Sequence, residues 1–224
     1  MSTKNTNLEP EVNVEEALSK TEKFFTTYKN HIVYGTAAII VVVAAVLLYH
    51  NFVTLPAQQE AMGQTYTAEQ YFRSGEFEKA LNGDGNALGF NQIIDEYGTK
   101  SGEAVYFYAG VCNLQLGNFQ EAINNLKKYN GEDEILAARA RACIGDAQAS
   151  LNDLAAAISS YKAAAAKADN VLAASYMLKA GILLEETGKP AEALELYEEI
   201  KTKYPATPEG NEINKYISRI NNAK

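Results

Sequence analysis

Residues 109–123 read AGVCNLQLGNFQEAI, residues 144–158 read IGDAQASLNDLAAAI, and residues 180–194 read AGILLEETGKPAEAL. Each stretch has glycine in its second position, a turn in its middle, and alanine followed by an aliphatic residue at its end. The closing alanines Ala122, Ala157 and Ala193 lie 35 and 36 residues apart. A repeat of this length is typical of stacked helical hairpins, because one hairpin cannot bury its apolar face alone.

The glycines of the repeat predict close contact between the two helices of each hairpin. Gly110, Gly145 and Gly181 are expected where two antiparallel helices cross and leave no room for a side chain. We predict that the first large residue after each turn fills the hollow that the glycine leaves. These residues are Phe119, Leu154 and Pro190.

A degenerate first unit and a last helix flank the three clear repeats. The first unit contains Ala68 and Ala80, and its second helix is interrupted by a Gly-rich insertion at residues 82–89. The spacing from Ala80 to Ala122 is accordingly 42 residues. Residues 54–205 are therefore predicted to form one repeat domain, and residues 206–224 a capping helix. The apolar stripe of that helix is Ile213, Tyr216, Ile217 and Ile220.

An uncharged segment precedes the repeats. No Asp, Glu, Lys or Arg occurs from Asn30 to Gln59, and the apolar centre runs over residues 32–53. Such a helix spans about 33 Å, enough to cross the hydrocarbon layer. A core helix would carry a polar side, and a cleavable signal peptide would be shorter, so we predict an uncleaved transmembrane helix. Its predicted anchor residues are Ile32, Ile39, Val43, Leu47 and Phe52.

The flanking charges predict the orientation of this helix. Lys20, Lys23 and Lys29 precede the span, whereas Arg73 is the only basic residue within about 20 residues after it. Residues 1–31 are therefore expected to be a cytoplasmic tail, with the repeats translocated. Met1–Glu11 is predicted to be unordered. The stripe Val14, Leu18, Phe25 and Tyr28 predicts a short amphipathic helix, which either extends the membrane helix or lies on the bilayer or a partner.

Composition argues against several classes of function. The net charge of −8 disfavours nucleic acid as a partner. His31 and His50 lie far from any carboxylate cluster, and Cys112 and Cys143 have no metal-ligand spacing, so both cysteines are predicted to be buried thiols. We therefore predict no catalytic activity, cofactor, metal or small-molecule substrate.

The repeats resemble the tetratricopeptide repeat (TPR), including a Tyr204-Pro205 pair of the kind that often closes a unit. The resemblance covers about Gln64 to Pro205. It implies an all-α, right-handed solenoid of about four helical hairpins plus a capping helix, with a concave groove lined by the first helix of each hairpin. The groove residues that it implies are Phe72, Phe107, Val111, Leu114, Asp146, Leu178, Ile182 and Glu185.

These groove positions are not basic, which argues against the chaperone tails that some TPR domains clamp by a carboxylate. An apolar patch of Phe107, Val111 and Leu114 would instead suit an extended or helical apolar segment. The alternative is that another helix of the same chain covers this patch.

The order of segments is similar to that of the ancillary Sec-translocon subunit with a periplasmic TPR domain. The motifs behind this resemblance are Val14-Glu15-Glu16-Ala17-Leu18, Glu22-Lys23-Phe24-Phe25, the single apolar span and the acidic repeats. The resemblance implies a bacterial inner-membrane protein near SecYEG that contacts secreted proteins or periplasmic chaperones. Two alternatives stay open: an envelope-assembly or cell-division adaptor, and a structural homo-oligomer whose groove binds its own termini.

Overall fold

A computed structural model describes residues 14–168 and 170–222, with side chains from Glu22 onward except that of Thr99. The predicted unordered stretch Met1–Glu11 lies outside the described residues, as do the side chains of Val14 and Leu18. The chain divides into two compact units, Met1–Leu55 and Pro56–Lys224.

The first unit consists of helix α1, Val14–Tyr49, and a π-helical turn, His50–Thr54. The predicted amphipathic stripe therefore belongs to the same helix as the apolar run and is not a separate element. The side chains of Ile39, Val43 and Phe52 are exposed. Among the described residues, one helical stretch is long and apolar enough to cross a membrane, and none of its apolar window is buried.

The second unit is built from helices packed in sequence order. They are α2 (Leu55–Arg73), α3 (Phe77–Asn82), α4 (Phe90–Tyr97), α5 (Ala104–Gln115), α6 (Phe119–Lys128), α7 (Glu134–Ser150), α8 (Leu154–Ala168), α9 (Val171–Glu186), α10 (Pro190–Lys203) and α11 (Pro208–Asn222). We call α2 with α3 and α4 hairpin 1, and α5–α6, α7–α8 and α9–α10 hairpins 2, 3 and 4. Each hairpin packs on the next, which confirms the predicted all-α solenoid of four hairpins with α11 as its cap.

The first helix of each hairpin ends in the same backbone turn. In hairpin 2 the N–H of Asn118 donates to the carbonyl of Asn113 at 2.8 Å, and in hairpin 3 the N–H of Asp153 donates to that of Gln148 at 2.9 Å. This arrangement needs one residue with positive φ, a conformation that glycine adopts freely and asparagine tolerates. Those residues are Gly75, Gly117, Asn152 and Gly188, with φ of 79°, 80°, 60° and 74°.

The repeat glycines are confirmed as points of close approach. A Cβ at Gly145 would lie 2.7 Å from the ring of Tyr161, and one at Gly110 would lie 2.5 Å from Cγ of Leu126. A Cβ at Gly181 would meet the ring of Tyr197 still more closely. The closing alanines Ala122, Ala157 and Ala193 are fully buried.

The prediction for the residues that fill these hollows is wrong. Phe119 and Leu154 are half-buried and Pro190 is exposed. Each begins its helix, short of the point where the two helices cross. The residue seven positions later lies two turns further along the helix and reaches the glycine. The residues that do so are Leu126, Tyr161 and Tyr197.

The Gly-rich insertion of hairpin 1 is a closed loop. The carboxylate of Asp84 accepts hydrogen bonds from the backbone N–H groups of Asn86 and Ala87 and from the hydroxyl of Tyr71, at 2.9, 2.8 and 2.7 Å. Beyond the loop, Phe90 and Ile93 of α4 are fully buried. The insertion therefore interrupts the second helix but returns it to the core.

Helix α11 covers the last hairpin with one apolar face. Ile213, Ile217 and Ile220 are buried, and the helix packs on α10 and α9. The ring of Tyr216 lies 5.4 Å from that of Tyr197. The remaining positions of α11 are mainly polar, as expected for a helix that ends a solenoid.

Candidate functional site: the inner face of the repeats

The first helices of the hairpins, α2, α5, α7 and α9, together with α11, present charged and aromatic side chains to one another. We call this surface the inner face. Tyr108 on α5 responds to charges on both neighbouring helices. Burial raises the pKa of its phenol, and Glu69 on α2 raises this pKa further. Arg73 on α2 and Arg139 on α7 lower it. Charges from α2 and α7 therefore lie close to the same α5 side chain.

Aromatic rings form the floor of the inner face at hairpins 1 and 2. The ring of Tyr108 lies 5.0 Å from Phe72, 5.4 Å from Phe90 and 5.8 Å from Phe107. These separations suit offset and edge-to-face contacts, which stabilise aromatic pairs. Phe107 is only 3% exposed. Phe107 therefore supports the surface from below and is not itself accessible to a partner.

In hairpin 3 an acid on the inner face is held from two sides. Oδ1 of Asp146 accepts a hydrogen bond from the hydroxyl of Tyr161 at 2.6 Å, and Nζ of Lys179 lies 2.6 Å from the same oxygen. Burial and the hydrogen bond to Asp146 raise the pKa of Tyr161. Because Tyr161 also covers Gly145, one side chain connects the core of the hairpin with its surface charge.

Hairpin 4 repeats this arrangement, with α11 supplying the cation. The hydroxyl of Tyr197 donates to Glu185 at 2.7 Å, and Arg219 makes two contacts to the same carboxylate at 2.6 and 3.1 Å. Burial opposes ionisation of Glu185, but the hydrogen bonds from Arg219 and Tyr197 leave its pKa below the usual value. The capping helix α11 therefore supplies the cation for hairpin 4, as α9 supplies it for hairpin 3.

Arg139, near the start of α7, differs from these paired cations. Its guanidinium lies 5.9 Å from the ring centroid of Phe107, and it has no ion-pair partner in the described part of the chain. Burial raises the pKa of Cys143 and that of Tyr176, and the positive charge of Arg139 lowers both by a smaller amount. Arg139 therefore lies among side chains of α5, α7 and α9.

The structure places the predicted groove residues on the inner-face helices but uses several of them internally. Phe72, Val111, Leu114 and Leu178 are half-buried against the core clusters. Asp146 and Glu185 are engaged in ion pairs. Ile182 is 39% exposed and is the most open apolar residue of the predicted set.

The cations of the inner face were missed by the sequence prediction, which described the groove as not basic. Arg139, Lys179 and Arg219 lie outside the positions that the resemblance to the tetratricopeptide repeat implied for the groove. One signal was available. Arg139, Cys143 and Asp146 follow the spacing of a single helix face, so the arginine lies two turns from the predicted groove residue Asp146 on that face.

Neither cysteine has the properties of a reactive thiol. Both are free; Cys112 is fully buried and Cys143 is half-buried. Burial raises the pKa of Cys112 to about 12 and that of Cys143 to about 11. The thiolate, which is the nucleophile and metal ligand, is therefore scarce at neutral pH. Within the described residues, no group of three or more His, Cys, Asp or Glu side chains is arranged to hold a metal ion.

Comparison with known proteins gives the same architecture. Residues 136–208, which include most of hairpins 3 and 4, match the tetratricopeptide repeat family. A crystal structure of MamA is 20% identical over 69% of this chain and 92% of MamA, with a TM-score of 0.52. A second MamA structure is 19% identical over 73% and 90% of the two chains, with a TM-score of 0.53. No curated protein matches the chain. The chain thus carries tetratricopeptide repeats over residues 136–208, in a fold that it shares with MamA.

Proposed function

We propose that this chain is a membrane-anchored scaffold that binds proteins on the inner face of its repeats and serves as an accessory subunit of the Sec machinery. The observation that carries the binding role is the composition of the inner face. Ile182 is exposed there, and Arg139 has no ion-pair partner among the described residues. Neither side chain in this position contributes to the core, whereas a bound partner segment would cover Ile182 and form an ion pair with Arg139.

Membrane anchoring is proposed from the surface of α1. Ile39, Val43 and Leu47 are 64%, 51% and 55% exposed, and their neighbours along the helix are equally apolar. Water would solvate such a helix poorly, whereas lipid covers it on all sides while its backbone groups remain hydrogen-bonded within the helix. The lysines before the span favour an N-terminus in the cytoplasm and repeats in the bacterial periplasm.

The Sec assignment rests on the order of segments and on the exposed aromatic cluster before the span. Phe24, Phe25 and Tyr28 are each about half exposed, and the rings of Phe24 and Tyr28 are 4.9 Å apart. Such a cluster suits contact with a helix of a membrane partner at the interface. The repeats would then meet secreted proteins as they emerge, or the periplasmic chaperones that receive them.

Affinity purification of the full-length protein from native membranes in mild detergent tests this assignment. We expect SecY, SecE and SecG to be recovered in stoichiometric amounts. A variant that carries Phe24→Ala, Phe25→Ala and Tyr28→Ala removes the aromatic cluster. We expect it to recover much less of the channel when it is present in the membrane in the same amount as the unchanged chain. Recovery of an envelope-assembly or cell-division complex instead, or of this chain alone, would contradict the Sec role.

Protease protection tests the topology separately. In spheroplasts, protease added from outside should digest the repeats and spare an epitope placed at the N-terminus. Protection of the repeats until the membrane is dissolved would contradict the periplasmic location.

A further inference from the structure

In the part of the chain that the structure describes, four cations lie along the inner face, and a neighbouring acid neutralises three of them. Arg73 pairs with Glu69 at 3.3 Å. Lys179 pairs with Asp146 and Arg219 with Glu185, each at 2.6 Å. Each acid of these pairs lies on an inner-face helix. Among the described residues, Arg139 is the cation of this row that has no acidic partner.

The surroundings of Arg139 prepare it to receive an anion. A guanidinium group can rest its flat face on an aromatic ring while the N–H groups at its edge remain available as donors. The ring of Phe107 lies 5.9 Å from the guanidinium, and that ring is itself fixed by Tyr108 and Tyr129 at 5.8 and 6.2 Å. The side chain of Arg139 is exposed. The guanidinium of Arg139 therefore has the ring of Phe107 on one side and solvent on the other.

The charges near Arg139 limit what it can receive. Besides the larger effect of burial, Glu69 raises the pKa of Tyr108 and Asp146 raises the pKa of Cys143, and Arg139 lowers both of these pKa values. Two carboxylates of the protein therefore act on the same side chains as Arg139, and such negative charge disfavours a phosphate dianion or a polyanion more than a single carboxylate. The net charge of −8 acts in the same direction.

We infer that Arg139 receives one carboxylate of an extended protein segment bound on the inner face, and that it selects segments with an acidic residue at that point. This inference rests on the proposed binding function and adds the chemistry of the partner. The carboxylate accepts hydrogen bonds from the edge of the guanidinium, and the residues around it in the segment lie over the aromatic floor, of which Phe72 and Tyr108 are half-buried.

Selection from a display library of random 12-residue peptides tests the inference, with the full-length protein held in detergent micelles. Four proteins are compared: the unchanged chain, Arg139→Gln, Arg139→Glu and Arg141→Gln. Arg141 is the matched control, because it lies on the same helix, is exposed and has no ion-pair partner among the described residues. It lines a different cavity of about 370 Å³ with Leu126, Tyr129 and Lys167.

We expect the unchanged chain and Arg141→Gln to select peptides enriched in Asp or Glu at one position. Arg139→Gln should lose this enrichment, and Arg139→Glu should replace it with Lys or Arg. For one selected peptide, fluorescence anisotropy should show that changing the enriched acid to its amide weakens binding about tenfold to the unchanged chain and less than about twofold to Arg139→Gln.

The possible failures are distinguishable. Equal acid enrichment with Arg139→Gln, or no acid preference in the unchanged chain, overturns the role of Arg139 and leaves binding on the inner face intact. If no peptide is selected by any of the four proteins, although circular dichroism shows them folded, then binding of extended segments is itself overturned and the inference fails with it.

Discussion

Hairpins 3 and 4 differ from hairpin 2 in the residue that covers the glycine of the first helix. Tyr161 and Tyr197 lie over Gly145 and Gly181, whereas Leu126 lies over Gly110. The two tyrosines also donate hydrogen bonds to acids on the inner face, and leucine cannot. In hairpins 3 and 4 one side chain therefore links core packing to the surface charges, and in hairpin 2 the two are independent.

This difference bears on where a partner can add charge contacts. The acids of hairpins 3 and 4 already have a hydroxyl and a cation. Arg139, on α7 of hairpin 3, instead lies over the buried ring of Phe107 in hairpin 2 and has no acidic partner among the described residues. The cation that can still add a charge contact thus lies at the junction of hairpins 2 and 3.

Removing the tyrosine of hairpin 4 should have the largest effect. Tyr197 is fully buried and contacts both Gly181 and Tyr216, so Tyr197→Ala should lower the free energy of unfolding by about 4 kcal/mol. Leu126→Ala in hairpin 2 should cost about 3 kcal/mol. Urea unfolding followed by circular dichroism measures both. A loss below about 1 kcal/mol for Tyr197→Ala would contradict the packing described here.

Adding a methyl group beneath the tyrosine should have the next largest effect. Gly181→Ala forces Cβ against the rigid ring of Tyr197 and should cost about 2 kcal/mol, whereas Gly110→Ala meets a leucine that can rotate and should cost about 1 kcal/mol. Gly63→Ala in α2 is the control: no atom lies within 4 Å of the new Cβ, so this change should be neutral or stabilising. Equal costs at Gly181 and Gly63 in thermal unfolding would exclude the close contact.

Much of this architecture was predictable from the spacing of small residues. Glycines and alanines recur because the helices of every hairpin cross at the same place, so the repeats, the insertion and the cap were visible in the sequence. The residues over the glycines were predicted wrongly because distance from the turn along a helix decides which side chain reaches the crossing. The ion pairs of Asp146 and Glu185 could not be predicted, since their cations lie 33 and 34 residues away in the sequence.

Removing only the tyrosine hydroxyls isolates their link to the surface. Tyr197→Phe should cost about 1 kcal/mol through the lost hydrogen bond to Glu185. Tyr161→Phe should cost less, because the side chain of Asp146 is 32% exposed and that of Glu185 is 18% exposed, so water replaces the hydroxyl more easily at Asp146. Chemical denaturation of both variants checks the order. A larger cost for Tyr161→Phe would show that exposure of the acid does not control the contribution.

The smallest effect is expected in the loop of hairpin 1. Hydrogen bonds from Tyr71 and from the backbone N–H groups of Ala87 and Asn86 lower the pKa of Asp84 from 3.8 to about 2. Because the folded-state pKa is the lower one, this carboxylate stabilises the fold above about pH 4, and that contribution is lost as the pH falls towards 2.

Asp84→Asn removes this contribution, so its thermal midpoint should lie slightly below that of the unchanged chain at pH 6. The gap between the two proteins should narrow between pH 4 and pH 2, since acid then affects the unchanged chain more. Comparing the two proteins cancels the effect of the other carboxylates. A gap that stays constant over this pH range would show that Asp84 does not close the loop through its charge.

Photo-crosslinking in native membranes tests whether proteins bind on the inner face. Benzoylphenylalanine replaces Ile182 on the inner face or Ser159, an exposed residue of α8, in the otherwise unchanged chain. We expect adducts with SecY or with a secreted protein in transit from position 182, and few or none from position 159. Equal adducts from the two positions, or adducts from position 159 alone, would contradict binding on the inner face.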